Sequence, residues 1–123
     1  MRSSDQTIVI VEHDTPTREL YVRELGRDYL ALACCDERSV LEMLRTHTIC
    51  AIVLEPGLAD GNGWALLAKI KQSDDTCAIP VILCSTLDER KRGMELGANA
   101  YLVKPVLPSV LLETIRRVIT SNW

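Results

Sequence analysis

Five times along this chain a short run of β-branched and other apolar residues gives way to a longer stretch of helical period, and that alternation leaves few architectures open. Parallel strands cannot be joined by tight hairpins, so each crossover needs a helix, and the helices cover the sheet. The apolar runs predict strands over residues 7–12, 29–34, 49–54, 79–84 and 100–103. The first, third and fourth are almost wholly apolar, as strands buried on both faces must be. The intervening stretches predict helices over 16–27, 37–47, 63–72, 87–96 and 108–120. Punctuation agrees: Thr15 stands as an N-cap before Pro16, and Gly26 and Gly97 stand where helices end in a left-handed residue. In the last helix Leu111, Leu112, Ile115, Val118 and Ile119 form a core-facing stripe, opposite Glu113, Arg116 and Arg117. The fold class is therefore α/β, a doubly wound parallel sheet with helices on both faces.

Such sheets bind ligands outside the carboxyl ends of the strands, where the strand order reverses. The chain's polar residues gather at those ends. Glu12, His13 and Asp14 close the first strand, Glu55 the third, Ser85 the fourth and Lys104 the fifth. Taken singly each is an ordinary wet strand end. Together they bring carboxylates, a hydroxyl and an ammonium to one crevice, the composition of a phosphoryl-transfer or metal site.

A length of 123 residues with 47% hydrophobic content suits one domain, core about 7–120, with no room for a second. A formal net charge of −3 gives no basic field to hold nucleic acid by its phosphates. The polar start MRSSDQT leads into too few apolar residues for a signal-peptide core or a membrane span, so a cytoplasmic location is expected. The chain stops at Ser121, Asn122 and Trp123 with no linker, which suits a stand-alone domain or an excised one. Cys34, Cys35, Cys50, Cys77 and Cys84 lack CxxC spacing, and most lie in apolar runs, so buried structural thiols are expected.

From Ile8 to Val118 the chain resembles the receiver domains of bacterial response regulators. Five blocks carry the resemblance: IVIVEHD, LEPGLADGNGW, IPVILCS, GMELGANAYLVKP and the closing amphipathic helix. It implies a flavodoxin-like (βα)5 fold with strand order 2-1-3-4-5. In that family an aspartate after the third strand accepts a phosphoryl group from a histidine kinase or small phosphodonor, with magnesium held by it and the first-strand acids. Carried over by position, the acceptor is Glu55, the acidic pair is Glu12 and His13, the phosphoryl-contacting residues are Ser85 and Lys104, and the switch residues are Ser85 and Tyr101. The resemblance also implies a cis bond before Pro105, which aims Lys104 into the site.

Three departures alter what the resemblance implies. Glu55 stands where the family has aspartate, and its extra methylene moves the oxygens in a site that needs in-line geometry. His13 replaces an acid, and a neutral imidazole suits magnesium poorly, so magnesium binding at Glu12, His13 and Glu55 is expected to be weak or absent; a transition metal there is the lesser alternative. Between Ser85 and Gly93 about three residues fewer than the family pattern shorten the fourth helix. The expected protein is a pseudo-receiver, a signalling domain rather than an enzyme, that meets a histidine kinase or other signalling protein, or a second copy of itself, through its fourth helix, fifth strand and fifth helix. A receiver phosphorylated on Glu55, Asp14 or Asp60 is the alternative within the family. Beyond it stand a flavodoxin-like enzyme or cofactor binder and a plain dimerisation module. No GxGxxG or GKS/GKT loop follows the first strand, so no organic cofactor is expected. Gly57, Asp60, Gly61, Asn62 and Gly63 read as the turn into the third helix, and Trp64 as its packing cap.

Overall fold

A computed structural model describes residues 6–58 and 62–121. The expectations for the first residues of the chain, for Asp60 and Gly61, and for Asn122 and Trp123 lie outside these described residues. In chain order the elements are β1 (Thr7–Val11), α1 (Thr15–Leu25), β2 (Leu30–Cys34), α2 (Glu37–Thr46), β3 (Ile49–Leu54), α3 (Gly63–Gln72), β4 (Val81–Ser85), α4 (Arg90–Glu95), β5 (Ala100–Val103) and α5 (Pro108–Ser121). All pairings are parallel, in the order β2-β1-β3-β4-β5, which bears out the flavodoxin-like expectation.

Side chains alternate across a strand, so β1 serves two cores at once. Val9 and Val11 join Ile52, Leu54 and Leu83 on the face covered by Val40 of α2 and by Leu66, Leu67 and Ile70 of α3. Ile8 and Ile10 join Val53, Ile82 and Cys84 on the other face, under Tyr21 and Leu25 of α1 and Leu111, Ile115 and Val118 of α5. Burial on both faces is why β1, β3 and β4 are apolar throughout. The order reverses at β1, which lies between β2 and β3, and the crevice opens there.

Several local expectations are corrected. The N-cap of α1 is Asp14, whose carboxylate accepts from Thr17 N at 3.1 Å; Thr15 and Pro16 are already helical. Aspartate takes the role because its side chain reaches the free amides from outside the helix. Gly26 keeps a right-handed φ of −65°, its N–H donating to Val22 O, so α1 ends without a left-handed residue, whereas Gly97 has a φ of +100°. The fourth helix starts at Arg90, not at residue 87. Cys34 and Cys84 are buried and Cys50 partly so, but Cys35 and Cys77 are exposed, because neither lies inside a strand. Burial pushes the Cys34 thiol up to about 11 and the Cys84 thiol up to about 12, so both stay protonated and inert.

Candidate functional site

Each polar residue of the crevice is fixed by the last rungs of the sheet. Glu12 N donates to Cys34 O at 3.2 Å, Glu55 N to Val11 O at 2.9 Å and Lys104 N to Ser85 O at 2.7 Å. Glu12, Glu55 and Lys104 thus follow β1, β3 and β5 at positions set by the backbone, and the Lys104–Pro105 bond is cis. Beyond β1 the chain turns into α1, and the Arg18 guanidinium donates back to Glu12 O at 2.9 Å, holding the turn closed. A cavity of about 480 Å³ results, lined by Glu12, His13, Asp14, Glu55, Ser85 and Lys104 among others. The residues singled out from the sequence at four strand ends do come together.

The centre of this arrangement is the Lys104 ammonium. Its Nζ donates to Glu12 Oε1 at 2.5 Å and lies 3.8 Å from Glu55 Oε2. Both carboxylates are buried, Glu12 at 2% and Glu55 at 6% exposure, so these are charges in a low-dielectric setting where a lost partner is costly. The second oxygen of Glu12 accepts from Asp14 N at 3.1 Å and faces His13 Nδ1 at 3.7 Å. Glu12 is therefore fully engaged. Glu55 is not: its Oε2 is out of contact with solvent and has no hydrogen-bond partner. Burial holds the Glu55 carboxyl above the usual range, opposed by the Lys104 charge and reinforced by the nearby Glu12 carboxylate.

This donor set does not fit a magnesium ion. Lys104 already occupies Glu12 Oε1, and His13 offers nitrogen where a hard cation needs oxygen. Among the described residues no three His, Cys, Asp or Glu side chains are gathered as a metal-holding group; Glu12 and Glu55 flank the Lys104 ammonium, and His13 faces Glu12.

Ser85 lines the cavity, and Tyr101 is bonded to the loop that follows it. Ser85 Oγ accepts from Leu87 N at 3.2 Å, so the hydroxyl is held by its own loop. The Tyr101 ring is buried at 6% exposure; its hydroxyl donates to Leu87 O at 2.5 Å and accepts from Glu89 N at 3.0 Å. These bonds take backbone groups of residues 87 and 89, which is why helical bonding begins only at Arg90. Gly93 makes the ring's slot: an added Cβ would lie 2.9 Å from Tyr101 Cδ2 and 2.7 Å from Leu83 Cδ1.

Sequence reasoning missed three participants. Arg18 carried no signal, because its target is a backbone carbonyl. Thr86 lines the cavity beside Ser85 and was legible only as a second hydroxyl in the same loop. Trp64, packed against the core as expected of a packing cap, also lines it, and the Arg92 guanidinium stacks 4.0 Å from its ring centroid, linking α3 and α4.

Residues 8–116 match the family model described as the response regulator receiver domain. The chain is 31% identical over 110 residues to the transcriptional regulatory protein HprR of Escherichia coli, covering 89% of this chain and 49% of HprR. It is 30% identical over 115 residues to the phosphate regulon transcriptional regulatory protein PhoB of the same organism, covering 90% of this chain and 50% of PhoB. It thus spans about half the length of these relatives. The signal receiver domain of a signal transduction histidine kinase from Syntrophus aciditrophicus superposes with a TM-score of 0.84 at 27% identity, over 94% of this chain and 91% of that one.

Proposed function

The chain belongs to the response regulator receiver family of two-component signalling, and from that premise we propose that it is a pseudo-receiver: a signalling domain, not an enzyme, whose pocket carries a fixed charge arrangement in place of a transferable phosphoryl group. One observation carries this reading. The carboxylate at the acceptor position, Glu55, has its Oε2 buried beside Lys104 and closed to solvent, so that oxygen cannot meet a donor phosphorus in line. A fixed carboxylate imitates a phosphorylated side chain only in part, since it brings one charge where a phosphoryl group brings nearly two. Magnesium has little to hold here, for the reasons of donor chemistry given above.

The wall opposite the acids supports the same reading. Tyr101 is turned inward and its hydroxyl is committed to the loop after β4, leaving the two switch residues, Ser85 and Tyr101, held by backbone bonds of one loop. Their inward arrangement is the state this domain presents to partners. The partner face is α4, β5 and α5, where Leu87, Met94, Val103, Leu107 and Val110 are all exposed large hydrophobics in or beside those elements. Such a cluster fits a histidine kinase, another signalling protein or a second copy. A cytoplasmic location suits five unpaired cysteines, and no helix among the described residues is long and apolar enough to cross a membrane. The net charge of −3 argues against direct contact with nucleic acid.

Intact-mass spectrometry after incubation with acetyl phosphate and magnesium tests the proposal. The native chain is expected to keep its mass, and the doubly substituted Glu55→Asp, His13→Asp chain to gain a phosphoryl adduct. A stoichiometric adduct on native Glu55, Asp14 or Asp60 would overturn it.

A further inference from the structure

The strand at one edge of the sheet, β2, is Leu-Ala-Leu-Ala-Cys, without a charge or a proline, and among the described residues it pairs on one side only, with β1. Its backbone groups alternate between that side and the other. Leu30 N donates to Gln6 O at 3.0 Å and Cys34 O accepts from Glu12 N at 3.2 Å, so Leu30, Leu32 and Cys34 turn their amides and carbonyls toward β1. Ala31 and Ala33 therefore turn theirs outward, beside side chains no larger than a methyl group. Ala33 is exposed and Leu30 is 39% exposed. The β1–β2 pairing runs without the register shift found between β1 and β3, so no bulge twists this edge away. Sheet edges are ordinarily guarded by charge, proline or a bulge, and β2 carries none of them.

An outward row of amides and carbonyls accepts another strand, and this row fits its own copy. When two β2 strands lie antiparallel about a twofold axis at Leu32, Ala31 of each stands opposite Ala33 of the other, and each such pair exchanges both of its N–H···O bonds. Leu32 then meets Leu32 of the second copy as a non-hydrogen-bonded pair, where side chains stand closest. Charge selects the antiparallel arrangement. The chain enters β2 past Arg27, whose side chain is 72% exposed, and leaves it through Asp36 and Glu37, so each copy brings its base to the acidic end of the other. Asp28 comes to that end as well, but the Arg116 guanidinium already holds its carboxylate at 3.2 Å. A parallel arrangement would instead set Arg27 beside Arg27.

We propose that the outer edge of β2 is a self-association surface, through which two copies of the chain join antiparallel into one continuous sheet. The proposal is independent of the pseudo-receiver reading, since no residue of β2 lines the pocket. β2 and β5 are opposite edges of the sheet, so both copies keep the α4, β5 and α5 face open to a different partner.

A contact along one short strand is small, so the dimer is weak, and hydrogen exchange by NMR at about 50 µM and about 2 mM chain, with sedimentation velocity at both, tests it. The Ala31 and Ala33 amides of the native chain are expected to exchange about threefold or more slower at the higher concentration, with those of Leu32 and Cys34, bonded to β1, unchanged. Ala33→Pro removes one outward N–H and no bond to β1, and is expected to sediment as a monomer at both concentrations. Leu107→Glu, by the opposite edge of the sheet, is expected to keep the native concentration dependence. Should Ala33→Pro fail to fold, Ala33→Lys sets a charge on the same edge and is expected to be monomeric. A native chain that is monomeric at both concentrations, or an association that Leu107→Glu abolishes and the Ala33 variants leave intact, would overturn the proposal. Protection of the Ala31 and Ala33 amides that does not change with concentration would overturn it too, since another segment of the same chain would then cover the edge.

Discussion

Glu55 concentrates the energetics of the site in one carboxyl group. Its burial raises the folded-state value above the 4.5 of an ordinary glutamate, so between 4.5 and the folded value the folded chain holds more protons than the unfolded one. The stability contributed by this group therefore falls as pH rises through that window, and the full penalty is present above it. Glu55→Gln keeps the shape and removes the charge. Thermal unfolding followed by circular dichroism should place the Glu55→Gln midpoint a few degrees above the native one at about pH 7. The difference should vanish as pH falls below 4.5, where the carboxyl is protonated in both states. A native chain more stable than Glu55→Gln at neutral pH would mean that the Lys104 attraction outweighs desolvation. Glu12 stands apart, since Lys104 and Asp14 N satisfy both of its oxygens. Removing its charge would leave a lysine ammonium that is only 14% exposed with Glu55 as its remaining carboxylate at 3.8 Å, a loss of up to about 3–5 kcal/mol for a broken buried pair.

The shortest described helix is α4, Arg90–Glu95, preceded by a loop that Tyr101 clasps. Tyr101→Phe removes one donor and one acceptor from that clasp and should cost about 1 kcal/mol in urea unfolding, with faster hydrogen exchange at the Glu89 amide. Gly93→Ala drives a methyl group against the Tyr101 ring and Leu83 and should cost ~1–3 kcal/mol. An unchanged midpoint for Gly93→Ala would mean that the ring moves aside freely, contrary to a held position. Elements were otherwise legible in the sequence because their signals are local. The apolar runs of β1, β3 and β4, the stripe of α5 and the left-handed Gly97 all follow from residues a few positions apart. The start of α4 was not legible, because a tyrosine hydroxyl on β5 decides it. Gly26 misled for a related reason: glycine permits a left-handed ending, but only the following chain path decides whether one is needed. Asp14 and Thr15 are both good caps, and the choice between them depends on which carries the extended backbone.

At the scale of the whole molecule, topology assembles the site. Glu12 and Lys104 are 92 positions apart in sequence and meet because β1 and β5 point the same way within one parallel sheet. That convergence could be anticipated, since a doubly wound sheet gathers its strand ends at the reversal of order. The pairing within it could not. The sequence offers one ammonium to two carboxylates, and whether Lys104 favours Glu12 or Glu55 depends on distances of an ångström or so. The sheet and its two apolar layers hold these groups fixed, and on the proposed reading the pocket is a built-in charge arrangement and not a reaction centre. The most direct measurement is fluorine NMR of the native chain titrated with beryllofluoride and magnesium, a mimic that attaches where a phosphoryl group would. Only free fluoroberyllate signals are expected for the native chain, and a bound resonance for Glu55→Asp with His13→Asp. A bound resonance in the native chain that disappears in Glu55→Gln would contradict it.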